Sequence, residues 1–160
     1  MMALLIVDSS VFVCGYRIGS AEALTVPGVM RELKDVRSIT LFEQARSTGL
    51  KVEPAEQRYI DEVVKTARRT GDVGVLSETD IHLLAKALQY IGKGACIITD
   101  DYAIQNVASR LGIQIKPIMQ HKIRDVLIWK KRCIGCGRYF AQGDICSVCG
   151  SKLKRTRRKE

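Results

Sequence analysis

Four cysteines near the end of this 160-residue chain restrict its fold more than any other feature. Cys133 and Cys136 form one Cys-x-x-Cys pair, and Cys146 and Cys149 form a second pair nine residues further on. A two-residue gap allows both thiolates of a pair to reach one tetrahedral ion, and two pairs supply the four ligands of a zinc site. Two disulfides or four free thiols are the alternative. Because four cysteine ligands leave no coordination position open, we expect one structural Zn²⁺ that takes no part in catalysis.

A small zinc ribbon is expected around these cysteines, over residues 132–153. A segment of this size cannot fold on hydrophobic burial alone, so metal binding would supply its folding free energy. Tyr139 and Phe140 are predicted to start a short strand within it. The looser, basic pattern before the ribbon predicts a linker over residues 119–131, with room for a short helix. Residues 154–160 are expected to form a basic tail.

The first 118 residues alternate short apolar runs with helix-period segments, which is typical of an α/β domain with a parallel sheet flanked by helices. Apolar residues at helical spacing predict three amphipathic helices, around residues 60–67, 81–88 and 104–111. Two shorter helices are expected at residues 29–34 and 39–47. The predicted buried strands are residues 3–7, 50–53, 95–99 and 113–116.

The hydrophobic runs do not predict a membrane protein. A membrane span needs about 18 uninterrupted apolar residues, and no run approaches this length. The apolar stretch near the start contains Asp8 and has no positive residue before it, which argues against a secretory signal. We therefore expect a cytoplasmic location and no membrane partner.

The charge of the chain is confined to one end. Residues 1–118 hold 14 basic and 14 acidic residues, whereas residues 119–160 hold 12 basic and 3 acidic ones and carry the whole net charge of +9. This asymmetry favours a polyanionic partner that is bound through the basic end. A solvated, solubilising tail is the alternative interpretation.

Five acidic residues are candidates for a second site. Asp8 closes the first predicted strand, and Asp100 and Asp101 close the strand at residues 95–99. Since ligands bind outside the carboxyl ends of parallel strands, these acids are expected to share one crevice. Asp80 lies in the first turn of its helix on the side facing the sheet, and Glu32 lies near the inward face of another. Helix capping is the alternative role, for Asp8 and Asp101 alone and for Asp80 in a capping box.

Carboxylates gathered in one crevice repel each other unless a cation lies among them. Oxygen ligands without histidine suit Mg²⁺ or Mn²⁺, and such a metal can activate water and stabilise a phosphodiester under attack. The acidic residues therefore indicate a phosphodiester hydrolase, if they are more than helix caps.

The order of Asp8, Glu32, Asp80 and Asp101 along an α/β domain resembles that of PIN nucleases, whose acids bind divalent metal to cleave single-stranded RNA. The strings Val-Pro-Gly-Val-Met-Arg-Glu-Leu at residues 26–33, Ser-x-x-Asp at 77–80 and Thr-x-Asp at 99–101 are similar to PIN motifs. The string Thr-Asp-Asp-Tyr-Ala-Ile-Gln-Asn-Val-Ala at residues 99–108, followed by the cysteine ribbon, resembles the Nin-one-binding endonuclease family. The lack of long insertions resembles its archaeal type.

The resemblance implies that Asp8, Glu32, Asp80 and Asp101 are the catalytic, metal-binding acids, with Glu43 a rival to Glu32. It does not decide between Asp100 and Asp101 as a ligand, because Asp100 occupies the variable position of Thr-x-Asp. The family trims the 3′ end of small-subunit rRNA, so the implied partners are precursor rRNA and the assembling small subunit, with room for another assembly factor. The basic candidates for RNA contact are Arg138, Lys152, Lys154, Arg155, Arg157 and Arg158.

Two other functions remain open at this point. One is a non-catalytic RNA-binding assembly factor whose acids only cap helices. The other is a PIN-type toxin ribonuclease, which the zinc ribbon and the basic end disfavour. The complete set of acids favours an enzyme.

Overall fold

The computed structural model describes residues 3–19, 21–118 and 127–159. A five-stranded, all-parallel sheet lies at the centre of the larger part, in the order β3-β2-β1-β4-β5. Its strands are β1 (Leu5–Val7), β2 (Ala23–Thr25), β3 (Lys51–Val52), β4 (Cys96–Ile98) and β5 (Gln114–Lys116). The helices are α1 (Ser9–Val13), α2 (Pro27–Glu32), α3 (Val36–Ser47), α4 (Gln57–Thr70), α5 (Glu78–Gln89) and α6 (Tyr102–Leu111), with a 3₁₀ turn at Ile91–Lys93. The predicted α/β class is confirmed.

The strand order creates a topological switch point between β1 and β4. Successive strands run from β1 outward to β3, and the chain then returns to the other side of β1 to form β4 and β5. The carboxyl ends of β1 and β4 therefore flank a topological switch point, where open α/β sheets bind their ligands. Asp8 and Asp100–Asp101 follow these two strands directly.

Burial explains why these short elements form. Ile6, Val7, Ile97 and Ile98 are fully buried in the two central strands, as continuous apolar runs in a parallel sheet require. The apolar stripes predicted for α4, α5 and α6 face this core through residues such as Val63, which is also fully buried. The three long helices are thus confirmed.

The structure corrects the boundaries of several elements and adds one strand. β2 was not expected from the sequence, although all three of its residues are buried. The helix expected at residues 29–34 begins earlier, at Pro27, because the fixed φ of proline suits a first helical position. The helix expected at 39–47 begins at Val36, where Asp35 caps it by accepting a hydrogen bond from the Ser38 N–H.

The second sheet differs more from expectation. It is antiparallel, in the order β7-β6-β8, and consists of β6 (Leu127–Cys133), β7 (Tyr139–Phe140) and β8 (Leu153–Lys159). The predicted strand at residues 139–140 is confirmed. However, β6 and β8 form a ladder of seven pairs that runs from Leu127 opposite Lys159 to Cys133 opposite Leu153. This ladder includes residues 127–131, which were expected in a linker, and residues 154–159, which were expected in a tail. The remainder of the expected linker, residues 119–126, lies outside the described residues.

The two sheets meet at the end of α4. Gly71 terminates this helix in a left-handed conformation, with φ of 79°, and its carbonyl accepts a hydrogen bond of 3.1 Å from the Arg155 guanidinium. A Cβ atom at Gly71 would overlap the Trp129 carbonyl group. Glycine is therefore required here both by the backbone conformation and by the close approach of β6.

In the described part of the chain, no helix combines the length and the apolar character that crossing a membrane requires.

Candidate active site

Asp8 is held between the ends of the two central strands. It is only 5% exposed, and it caps α1 because its Oδ1 accepts a hydrogen bond of 2.7 Å from the Ser9 N–H. Its Oδ2 accepts hydrogen bonds of 3.0 Å from the Ser10 hydroxyl and 2.7 Å from the Thr99 hydroxyl. Donors from both sides of the switch point thus fix the orientation of this carboxylate.

Asp101 approaches the same place from the end of β4. It caps α6, and its Oδ1 accepts hydrogen bonds from the backbone N–H groups of Ala103 at 2.8 Å and Ile104 at 3.4 Å. Its own N–H donates to the Thr99 hydroxyl oxygen at 3.1 Å. Thr99 therefore links the two acids, because it donates to Asp8 and accepts from Asp101. Oδ2 of Asp101 has no hydrogen-bond partner among residues 3–19, 21–118 and 127–159.

Asp80 enters the site from the start of α5. It forms a capping box with Ser77, in which the Ser77 N–H donates to Asp80 Oδ2 at 2.8 Å and the Asp80 N–H donates to Ser77 Oγ at 3.1 Å. Burial raises the pKa of Asp80, and the negative charges of Asp101 and Asp8 raise it further. The three carboxylates are therefore close enough to repel each other.

The pKa of Asp8 is shifted in the same direction, again mainly by burial. Burial raises the pKa of Asp8, the hydrogen bonds from Thr99, Ser10 and Ser9 oppose this rise, and the charge of Asp101 adds to it. A divalent cation would relieve both the desolvation and the repulsion of these acids. An all-oxygen donor set of carboxylates fits Mg²⁺ or Mn²⁺ rather than a softer metal.

The other two acidic candidates are placed differently. Asp100 is turned toward the end of β5, where its Oδ1 accepts a hydrogen bond of 2.7 Å from the Ile118 N–H. Glu32 is the exposed last residue of α2, and this helix packs on α1 and α5. Neither is among the largest influences on the pKa of Asp8 or Asp80.

Two hydroxyl residues of the site were not singled out from the sequence. Ser10 and Thr99 both donate to Asp8, and Thr99 is fully buried. Thr99 belongs to the Thr-x-Asp string and Ser10 to the Asp-Ser-Ser string, so both lie beside residues that were selected. Their role depends on the pairing of β1 with β4, which no local pattern reports.

The four cysteines form a compact cluster in the second sheet. Their sulfur atoms all lie within 4.8 Å of one another, and in the described part of the chain they are the one group of three or more His, Cys, Asp or Glu side chains this close. The Sγ atoms of Cys133 and Cys149 are 3.3 Å apart, and those of Cys136 and Cys146 are 3.7 Å apart. A disulfide would require about 2.05 Å, whereas tetrahedral zinc with bonds of about 2.3 Å separates its sulfur ligands by roughly 3.8 Å. The cluster could therefore hold zinc.

Backbone groups prepare two of these sulfurs for a metal. Cys133 Sγ accepts from the Gly135 and Cys136 N–H groups, and Cys146 Sγ accepts from the Val148 and Cys149 N–H groups, all between 3.3 and 3.5 Å. Hydrogen bonds from the Ser151 hydroxyl and backbone lower the pKa of Cys149 to about 6. Donors of this kind stabilise the thiolate form that zinc binds.

The basic candidates divide into two groups. Arg138, Lys152, Lys154 and Arg157 are exposed. Arg155 is exposed as well, but its guanidinium donates to the Gly71 carbonyl and lies 4.3 Å from the centre of the Trp129 ring, so it also joins the two sheets. The side chain of Arg158 lies outside the described part of the chain.

The parallel sheet, with three carboxylates near its switch point, belongs to a PIN-domain protein of the ribonuclease class, as the comparison with known families shows. The family model described as "PIN domain of ribonuclease" matches residues 5–90, a range that contains Asp8, Glu32 and Asp80.

Comparison with curated relatives identifies the family within the PIN-domain ribonucleases. Endoribonuclease Nob1 of Pyrococcus abyssi is 38% identical over 160 residues, which cover 98% of this chain and 95% of the relative. Endoribonuclease Nob1 of Archaeoglobus fulgidus is 45% identical over 131 residues, which cover 81% of this chain and 76% of the relative. Ribonuclease VapC1 of Thermoplasma acidophilum is 40% identical, but the match covers only 66% of this chain and 54% of the relative. The chain belongs to the Nob1 endoribonuclease family.

Proposed function

We propose that this chain is a metal-dependent endoribonuclease that cleaves single-stranded precursor rRNA at the 3′ end of small-subunit rRNA during ribosome biogenesis. The family assignment supports an endoribonuclease. The observation that carries the proposal is that Asp8, Asp80 and Asp101 lie beside one another at the switch point of the sheet. Burial raises the pKa of Asp8 and of Asp80, and the charges of the neighbouring acids add to both rises. An acidic cluster of this kind requires a cation before it can approach a phosphodiester.

Asp8, Asp80 and Asp101 would hold the Mg²⁺ or Mn²⁺ ion. When bound there, the cation would lower the pKa of a water molecule and stabilise the charge that develops on the attacked phosphate. The hydroxyls of Ser10 and Thr99 keep the Asp8 carboxylate oriented and favour its ionised form. Without a cation, the three acids would repel the RNA backbone.

We assign the ligand position of the Thr-x-Asp string to Asp101 rather than Asp100. Asp101 acts electrostatically on both Asp8 and Asp80, and one of its carboxylate oxygens is not used by its helix cap. Asp100 instead holds the chain that follows β5. Glu32 remains a sequence-based candidate for the outer part of the site.

The cysteine cluster would hold one structural Zn²⁺. The basic face of the ribbon, including Arg138, Lys152, Lys154 and Arg157, would bind the phosphates of the precursor and of the assembling small subunit in the cytoplasm.

The direct test is cleavage of an RNA that spans the 3′ end of small-subunit rRNA. The whole chain is incubated with this RNA and with Mn²⁺, Mg²⁺ or a chelator. We expect a discrete cut that depends on the divalent cation. The cleavage rates of Asp8→Asn and Asp101→Asn should each be reduced by at least about 100-fold. Asp100→Asn is the matched control, with a rate within a few-fold of wild type. Unchanged cleavage by Asp8→Asn would contradict the proposal.

A non-catalytic RNA-binding assembly factor is the second candidate, because one specific observation favours it. Asp8, Asp80 and Asp101 each accept hydrogen bonds from the start of a helix, so each acid has a structural role without any chemistry. This candidate expects tight RNA binding without cleavage under any metal condition.

A further inference from the structure

A cleft lies where the nuclease domain meets the ribbon. It has a volume of about 390 Å³ and is open to solvent on one side. The residues that matter for its chemistry come from α6, from the loop between α4 and α5, and from the paired strands β6 and β8: Tyr102, Asn106, Asp72, Trp129, Arg155 and Arg157. This volume lies at the lower end of the range of small-molecule sites and suits a single nucleotide.

The cleft begins beside the candidate active site. Tyr102 follows Asp101 directly and is the first residue of α6, and the Ala103 N–H in the same turn donates to the Asp101 carboxylate. The Tyr102 side chain is 55% exposed although it is large and partly apolar. The exposed ring of Tyr102 offers a surface on which a base can stack.

The opposite wall supplies a second aromatic group and positive charge. Trp129 is half-buried, and the Arg155 guanidinium covers its ring at 4.3 Å. Arg157 is exposed, and its side chain forms no ion pair or hydrogen bond with the described parts of the chain. Aromatic rings and arginine planes together are the groups with which proteins bind unpaired bases and their phosphates.

The floor of the cleft contains a buried acceptor. Asp72 is 1% exposed, and its Oδ2 accepts hydrogen bonds of 2.7 Å from Thr70 Oγ1 and from Asn106 Nδ2. Oδ1 is buried and has no donor in full hydrogen-bond geometry in the described structure. Burial raises the pKa of Asp72, the hydrogen bonds from Thr70 and Asn106 lower it, and the nearby Arg155 and Trp129 lower it further. Asp72 therefore joins the end of α4 to α6 beneath the cleft.

We propose that this cleft binds one unpaired nucleotide of the RNA substrate, with its base against Tyr102 and Trp129 and its phosphate at Arg157. The neighbouring phosphodiester would then lie at Asp8, Asp80 and Asp101, because Tyr102 is covalently next to Asp101. The inference rests on the proposed cleavage of RNA, since it identifies how that substrate is held.

The first experiment measures affinity in an Asp8→Asn background, which prevents cleavage during the measurement. Fluorescence anisotropy with a single-stranded oligonucleotide from the precursor 3′ end gives the dissociation constant. Tyr102→Ala is expected to weaken binding about tenfold, whereas Tyr102→Phe, which keeps the stacking face, is expected to stay within twofold. Equal affinities for Tyr102→Ala and its parent would overturn the proposal, and circular dichroism shows whether each variant is folded.

The second experiment tests the phosphate contact by its salt dependence. Arg157→Gln should weaken binding and reduce the slope of log affinity against log salt by about 0.7, as expected for one phosphate contact on a single strand. Arg58→Gln removes the same charge from the first turn of α4, about 20 Å along this helix from Gly71, and should leave the slope unchanged. Equal slopes for Arg157→Gln and Arg58→Gln would overturn the assignment of Arg157.

The third experiment locates the nucleotide. A single abasic position is moved along the oligonucleotide, and binding is expected to weaken about tenfold at one position next to the cleavage site. This position should cease to matter in Tyr102→Ala. If an abasic position weakens binding equally wherever it is placed, the subsite is overturned, even if the wild-type chain cleaves the RNA. If one position depends on Tyr102 but the wild-type chain does not cleave, the subsite stands and the proposed nuclease function is overturned. Competition by an acidic peptide with no effect of abasic positions would instead assign the cleft to a protein partner.

Discussion

At the scale of single residues, Asp8 combines a structural role with a proposed chemical one, and the two have opposite effects on stability. Its carboxylate caps α1 and receives hydroxyl donors from both sides of the switch point, which stabilises the fold. Burial nevertheless raises its pKa above the usual 3.8, so the folded chain holds a proton on Asp8 to higher pH than the unfolded chain does. The ionised form of this side chain therefore lowers the free energy of unfolding unless a cation compensates its charge.

The first prediction follows from the sign of this shift. Because the folded state binds the extra proton, the contribution of Asp8 to stability is largest below pH 3.8 and falls as the pH rises through its folded pKa. With a chelator at pH 7, Asp8→Asn should melt at a temperature equal to or a few degrees above that of wild type, since asparagine keeps the cap and removes the buried charge. The difference should diminish toward pH 4. Thermal unfolding followed by circular dichroism measures both values.

Mn²⁺ provides the control for this prediction. It should raise the melting temperature of wild type and of Asp100→Asn but not that of Asp8→Asn, because only the last has lost a proposed ligand. A melting temperature for Asp8→Asn well below that of wild type in chelator would mean that the lost hydrogen bonds outweigh the removed charge.

The residues of the candidate site could be selected from the sequence to the extent that they close strands or begin helices. Asp8, Asp80 and Asp101 could be chosen because a short apolar run or a helical stripe ends or starts beside them. The hydrogen bond between Thr99 and Asp8 joins residues that are 91 positions apart, so only the sheet order brings it about. Which of Asp100 and Asp101 is the proposed metal ligand likewise depends on the direction of each side chain, which the sequence does not report.

At the scale of secondary structure, the ladder of β6 and β8 is the least predictable element. The two strands contain eight Lys and Arg residues and no acid, and they place Lys131 opposite Arg155 and Arg132 opposite Lys154. Like charges directly opposite each other destabilise an antiparallel pair. Its partners are also distant in sequence, so no hairpin signal marks them. β2 was missed for another reason: three residues are too few to show a period.

The second prediction is that removal of zinc disrupts this ladder and leaves the parallel sheet folded. Among the side chains that the structure describes, the apolar cluster of the ribbon comprises Cys133, Cys146 and Leu153, with Phe140 packed against it. So small a cluster cannot offset the repulsion along the strands. A strong chelator should abolish the protection of β6 and β8 from amide hydrogen exchange, while β1 and β4 remain protected.

Metal analysis of the native protein accompanies this measurement, with one zinc per chain as the expected value. Removal of Mg²⁺ or Mn²⁺ alone by a mild chelator is the control and should leave the ladder protected. Full protection of β8 after complete loss of zinc would show that strand pairing alone maintains the ribbon.

At the scale of the whole molecule, the candidate acidic site and the net positive charge lie in different parts of the chain. The large hydrophobic core draws all its buried residues from Leu4 to Ile115, within a segment of zero net charge. The later residues carry the entire +9. Long-range attraction of RNA should therefore depend on the ribbon, while the cut depends on the parallel sheet.

The third prediction concerns a fragment of residues 1–118, which keeps that core. It should bind RNA weakly, with a shallow dependence on salt, and cleave with little selectivity. The isolated ribbon with residues 119–160 should bind RNA with a steep salt dependence and cleave nothing. Dissociation constants at several salt concentrations for both fragments and the whole chain make the comparison. Equal affinity of residues 1–118 and the whole chain would contradict this division.

The register of β6 and β8 also determines how the chain responds to mechanical force. Leu127 faces Lys159 at the open end of the ladder, and the cysteines lie at the closed end. A pull on the chain at Lys159, such as an unfoldase would exert, loads one pair of residues at a time, beginning at Leu127 and Lys159. Such peeling needs little force, in contrast to shearing, which loads all pairs together. Arg155 is reached at the fifth pair, so the ribbon would separate from Gly71 before any tension reached the cysteine cluster.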